Sequence, residues 1–280
     1  MLGLTVFCAC LVVCSGWLLS KIEREAPANP LWNGLKVRWD NDPSKGYFSL
    51  PRTASEALAQ NFVKVSDCDQ RSSWGGARYV KDNDYTLTLL YDINGYIAGI
   101  QTGIPKNLAN GFPIPSLRPP FISDGDRWVI TAYFTDPDAI CRRGRSAEQF
   151  RVEGTGTNLY IQNGSSPTFS FKIPLDESGM AGTKWIEGKC FKAMGKHYWY
   201  NLSLDMKETD MFPAFLMFHK GKLQGFGWAM TTSLSSKTYE HPPAMVYPFF
   251  MKEVPTFLPK VPVVSTLHIY MTDTPLAHVC

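Results

Sequence analysis

The chain repeats itself, and that limits its fold more than any other feature. Residues 35–141 and 159–280 carry the same landmarks in the same order. Leu35-Lys36-Val37-Arg38 answers Leu159-Tyr160-Ile161-Gln162, and Phe48-Ser49-Leu50-Pro51 answers Phe171-Lys172-Ile173-Pro174. Gly76-Ala77-Arg78-Tyr79 answers Gly195-Lys196-His197-Tyr198, and Arg118-Pro119-Pro120 answers His241-Pro242-Pro243. Tyr133-Phe134-Thr135-Asp136 answers Tyr270-Met271-Thr272-Asp273, and each copy then ends in Cys. Both copies should therefore take one topology. The sequence leaves open whether they pack as one domain, although a unit this small buries proportionally little surface alone.

Aromatic and β-branched residues dominate, with many Pro and Gly between short runs. That favours strands over helices. Residues 84–92 and 95–101 read as a hairpin, since Asn94-Gly95 supplies the positive φ angles of a tight turn. Residues 215–218 and 222–228 repeat the arrangement. Residues 127–134 and 265–271 read as long central strands. A two-turn helix is expected at 52–60, with a poorer counterpart at 175–182, and the Pro-rich stretches 111–120 and 255–262 as loops. The expected fold is all-β or β-rich α+β: two diverged copies of one disulfide-bonded unit with antiparallel sheets.

Residues 1–20 hold an apolar run followed by charge, the form of a secretory signal peptide, with a signal anchor as the rival reading. Residues 21–34 follow as a linker, then repeat 1 (35–141), a linker at 142–158 and repeat 2 (159–280). Removing the leader leaves Cys68, Cys141, Cys190 and Cys280. In a secretory context these imply disulfides. If each copy is self-contained, the pairs are Cys68–Cys141 and Cys190–Cys280, each worth about 4–5 kcal/mol in the chain-entropy model. Asn163-Gly164-Ser165 and Asn201-Leu202-Ser203 are glycosylation sequons. The expected product is secreted and extracellular, with no membrane span after the leader is removed. The formal charge of +3 is dispersed and makes no nucleic-acid footprint. Its densest cluster, Arg142-Arg143-Gly144-Arg145, reads as a solvated linker, with protease processing as the alternative.

The copies differ most in histidine. All five (His197, His219, His241, His268, His278) lie in the second. His197 replaces Arg78, His241 replaces Arg118, and His268 falls at or near Thr131. Imidazole ligates zinc and copper and titrates near neutral pH. His197, His268 and, more weakly, His241 are therefore candidate ligands for copper or zinc. Tyr198, Tyr270 and Trp228 are candidate neighbours in a pocket, and Arg78 and Arg118 could grip an anion in the other copy. The competing reading makes the histidines core residues, and places His219 and His278 at the surface. Asp-x-Asp pairs at Asp40/Asp42, Asp67/Asp69, Asp82/Asp84, Asp124/Asp126 and Asp136/Asp138 could hold calcium, although turn capping already accounts for them. Hydrolase elbows, phosphate loops and redox Cys motifs are absent.

Met194-Gly195-Lys196-His197-Tyr198, Gly225-Phe226-Gly227-Trp228 and Ser265-Thr266-Leu267-His268-Ile269-Tyr270, with the terminal Cys280, resemble a loose set of uncharacterised secreted invertebrate proteins. The resemblance covers 185–280, draws attention to His197 and His268, and implies no activity. Three functions stay open. One is an extracellular binding protein for a small molecule or another extracellular protein, with its site around His197 and His268. The second is a secreted metal-dependent enzyme, an oxidoreductase or hydrolase, using the same residues. The third is a matrix protein with no site.

Overall fold

A computed structural model describes residues 30–40, 42 and 45–280. The leader expected at 1–20 lies outside the described residues, as does 21–29 of the expected linker. The first copy and its flank supply β1 (Lys36–Arg38), β2 (Tyr47–Ser49), β3 (Phe62–Ser66), β4 (Ala77–Lys81), β5 (Asp84–Tyr91), β6 (Ile97–Pro105), β7 (Ile122–Asp124) and β8 (Arg127–Tyr133). The second supplies β9 (Leu159–Gln162), β10 (Ser170–Ile173), β11 (Trp185–Phe191), β12 (Gly195–Tyr200), β13 (Ala214–His219), β14 (Lys222–Met230) and β15 (Ser265–Tyr270). They form two antiparallel sheets. The first has the order β10-β9-β8-β6-β5-β4-β3, with β7 also on β8. The second has the order β11-β12-β13-β14-β15-β1-β2.

The duplication is visible in the ladders. Leu90 pairs with Gly99 and Gly99 with Tyr133, just as Met217 pairs with Gly225 and Gly225 with Tyr270. Arg78 faces Leu90 as His197 faces Met217, and Thr131 faces Gln101 as His268 faces Gly227. The two replacements therefore fall on equivalent backbone positions. Cys68 is bonded to Cys141 and Cys190 to Cys280.

The sheets nevertheless do not coincide with the repeats. β1 and β2 precede the first sheet in the chain but extend the second, pairing Lys36 with Tyr270 and Val37 with Ile269. β9 and β10 extend the first sheet, pairing Tyr160 with Tyr133 and Ile161 with Ala132. Each repeat hands its opening hairpin to the other. The units 35–141 and 159–280 are closed by their disulfides but not by their sheets, and the exchange binds them into one structure.

Alternation does the rest. Residues facing inward from both sheets, among them Leu89, Ile100, Ile130, Leu216, Phe226, Trp228 and Ile269, form one shared core with Trp32, Val37 and Ile161. Each buried side chain of this size contributes about 1.5–3 kcal/mol. Helices are few and short. α1 (Ala54–Ala59) lies where it was expected, closed by a capping box in which Thr53 and Glu56 exchange hydrogen bonds. Its counterpart is a single tight turn at Glu177–Met180. α2 (Pro137–Ile140) leads into Cys141.

The segment 142–158, read from sequence as a solvated linker, holds α3 (Ala147–Glu153), capped by Ser146 and Gln149. Arg145 is 4% exposed, because its guanidinium donates to the carbonyls of Gly154 and Ile97 beside Asp92. Those acceptors make burial of the charge tolerable, and they withdraw Arg145 from the processing reading.

Candidate functional site

Period-two alternation sends His197, Trp199, Phe215, Met217, Ala229, His268, Tyr270 and Arg38 to the outer face of the second sheet. The same rule turns Tyr198 and Trp228 inward to the shared core, so neither belongs to this face. Tyr198 instead donates its hydroxyl proton to Glu177 Oε1 at 2.9 Å.

A roof covers the outer face. In the first repeat, β7 and β8 form a tight hairpin in which Asp124 pairs with Arg127 and Ile122 with Val129. In the second, Glu240 bridges Thr266 at the equivalent rung. The chain between them does not turn at once. Residues 241–262 run across the sheet, with short turns at Ala244–Phe249 and Leu258–Lys260. Tyr247, Met251 and Leu258 are buried against Trp199, Phe215 and Met217. The Phe250 carbonyl anchors the roof by accepting from Lys189 N at 2.9 Å and Trp199 Nε1 at 3.2 Å. Gly188 permits that approach, since a Cβ there would stand 2.3 Å from the Phe250 carbonyl oxygen. The sequence match of His241 with Arg118 is thereby corrected: Glu240 holds the rung of Ile122, and Arg118 lies outside that ladder.

Between roof and sheet lies a cavity of about 260 Å³. This exceeds the ~150 Å³ engineered cavity that holds benzene. Most of its wall is apolar, and its polar side chains converge from β12, β15, β1 and the Glu240 bridge. His268 Nδ1 lies 2.8 Å from Glu240 Oε2. Glu240 also pairs with Arg38, whose other terminal nitrogen donates to the carbonyls of Asp40 and Asp42. Burial works to raise the Glu240 carboxyl, but His268 and Arg38 together hold it below the usual carboxylate range. His197 is 1% exposed, and burial pushes it down to about 3, helped by the nearby His268 and opposed by the Lys189 and Gly195 carbonyls. It is neutral at physiological pH. Its Nδ1 lies 3.3 Å from the Lys189 carbonyl oxygen, so the proton sits on Nδ1 and Nε2 is a bare acceptor. That Nε2 is buried with no partner, as is Arg38 Nε.

The remaining expected residues lie elsewhere. His241 is exposed, with Nε2 3.1 Å from the Leu234 carbonyl oxygen, and does not join the other two. The His197 and His268 rings stand 6.4 Å apart at 84°. Among the described residues no group of three or more His, Cys, Asp or Glu is placed to hold a metal, so the His197–His268–His241 set for copper or zinc is not assembled. The Asp-x-Asp pairs cap turns or meet arginines, as at Asp42–Asp40, Asp138–Asp136 and Asp124–Arg78. His219 and His278, expected at the surface, stack at 4.7 Å, and His278 is 3% exposed. Arg78 pairs with Asp124, lies over the Trp74 ring and donates to Gln101. Arg118 is exposed over Trp128, donating to the Pro113 carbonyl. The two arginines form no shared anion site.

Sequence reasoning missed Arg38 and the roof. Arg38 was hidden because it sits in the other repeat and arrives only through the exchanged hairpin. The roof had a signal in the extra residues between the bridge and β15 of the second copy. Comparison of the chain with protein-family models, curated proteins and solved structures finds no match.

Proposed function

We propose that this protein binds a small, largely apolar molecule in the roofed cavity of the second sheet. The observation that carries the reading is the cavity itself. It is an apolar chamber on which buried Arg38, His268 and His197 and half-buried Glu240 converge, the usual composition of a ligand site. The structural alternative, a packed core with satisfied histidines, leaves both the space and the two orphaned nitrogens unexplained. Secretion belongs to the proposal. The leader expected at 1–20, the two disulfides and exposed sequon residues Asn163 and Asn201 support an extracellular product. Among the described residues no helix is long and apolar enough to cross a membrane.

A catalytic reading has one observation in its favour. The Glu240–His268 contact is the arrangement in which a carboxylate orients an imidazole as a base. Slow turnover of small apolar esters, lost in Glu240→Gln, would support that reading.

Calorimetry with a panel of uncharged mono- and bicyclic compounds tests the binding proposal. One or more should bind with unit stoichiometry and a negative heat-capacity change. Ala229→Leu, which adds bulk to the chamber wall, should abolish that binding while the protein stays folded. Equal binding by the variant would place the ligand elsewhere.

A further inference from the structure

We propose that the cavity's ligand is an uncharged molecule carrying a hydroxyl group, such as a phenol or a compact apolar alcohol, which binds by donating its proton to His197 Nε2. The inference rests on the cavity being a ligand site and adds the chemistry of what enters it.

Setting aside His268 Nδ1, which faces Glu240 Oε2, two buried atoms of cavity-lining residues lack a partner, and they are of opposite kinds. His197 Nε2 is an acceptor, because Nδ1 holds the proton against the Lys189 carbonyl. Arg38 Nε is a donor. A hydroxyl can answer either atom, giving its hydrogen to the first or its lone pair to the second. A carboxylate answers only the donor, and an ammonium only the acceptor.

Charge points the same way. Arg38 is already paired with Glu240, and Glu240 faces His268. A carboxylate ligand would therefore meet no free cation, and Asp40 at the rim would repel it. An ammonium would find Asp40 only at the exposed rim, where solvent screens it.

The wall sets the body of the ligand. Phe191, Trp199, Phe215, Tyr247 and Phe250 offer ring faces and edges, and Met194 and Met251 fill irregular gaps. A buried acceptor left unpaired costs about 1–3 kcal/mol, so a ligand that satisfies it should gain about tenfold or more in affinity over one of the same shape that cannot.

The test compares four naphthalene probes by calorimetry at pH 7: the isosteric pair 2-naphthol and 2-methylnaphthalene, with 2-naphthoate and 2-naphthylmethylammonium as the charged members. The expected result is that 2-naphthol binds at least about tenfold tighter than 2-methylnaphthalene, with both charged probes weaker than 2-naphthol. His197→Phe should bring 2-naphthol down to the level of 2-methylnaphthalene while leaving the latter in place. Equal binding of these two by the native protein, or a charged probe binding tightest, would overturn the hydroxyl inference and leave the cavity reading standing. Failure of all four probes would overturn both.

Should His197→Phe fail to fold, the native protein still decides. The ring ¹⁵N resonance of His197 Nε2 should move towards the hydrogen-bonded range on adding 2-naphthol and stay still with 2-methylnaphthalene. An unmoved resonance at saturation would refute the contact.

Discussion

The outer faces of the two sheets start from the same ladder and end in opposite ways. On the first, Thr88, Gln101 and Thr131 lie side by side at one rung. Gln101 donates to Thr131 and accepts from Arg78, which is held by Asp124 and stacked on Trp74. Arg78, Asp124, Gln101 and Thr131 satisfy one another there. On the second, the same rung reads Phe215, Gly227 and His268, flanked by Arg38. Gln101 becomes glycine, the Phe215 ring moves over the space, His197 replaces Arg78, and an insertion in the β7–β8 turn becomes a roof. One face is closed by hydrogen bonds and the other opens into a chamber. The shared core between the sheets changed far less, since Leu89 and Leu216, or Ile100 and Phe226, still face inward.

The contrast predicts an acid sensitivity confined to the second sheet. His197 is pushed down to about 3 and His278 to about 4, in both cases chiefly by burial. The unfolded chain therefore binds more protons below the ordinary histidine range. The stability these neutral rings carry is complete above about pH 6.5 and falls as the pH drops towards 4. Each contributes a slope of up to about 1.4 kcal/mol per pH unit. Hydrogen exchange at pH 5 should show β12–β15 opening well before β4–β6. Simultaneous opening would mean the exchanged hairpins make both sheets one cooperative unit.

Transplanting the first face onto the second should come next in size. Gly227→Gln places a Cβ 2.2 Å from the Phe215 ring and 2.5 Å from the Leu267 carbonyl oxygen. Overpacking of this kind should cost about 3 kcal/mol in denaturant unfolding. Adding Phe215→Thr should recover part of that loss and abolish ligand binding.

Asp124→Ala probes the closed face. It strands the mostly buried Arg78 guanidinium and should cost about 2–3 kcal/mol, without altering ligand affinity in the cavity. A change in affinity would reveal coupling between the faces.

His241→Ala should do least. The residue is exposed and outside the chamber, so stability should move by less than about 0.5 kcal/mol and binding not at all.

The hairpins, central strands, α1 and disulfide partners were legible because each rests on local patterning or on the parallel between copies. The positions of His197 and His268 were legible for the same reason. Three things were not. Face assignment requires knowing which side of a strand is core. Tyr198 and Trp228 look like site residues until alternation is fixed by tertiary packing. The exchange of β1–β2 with β9–β10 leaves no local trace, since either partner sheet satisfies the same backbone groups. Arg145 reads as a linker charge because its acceptors, Asp92 and the carbonyls of Ile97 and Gly154, come together only in the fold.

The central claim is that the second outer face receives a ligand and the first does not. Titrating ¹⁵N-labelled protein with naphthalene, an uncharged probe without polar groups, and mapping the amide shifts tests it most directly. Saturable shifts clustered on β12–β15 and residues 241–262, with β4–β6 and β8 unmoved, are the predicted result. Shifts centred on the first sheet, or none at the solubility limit of the probe, would contradict it.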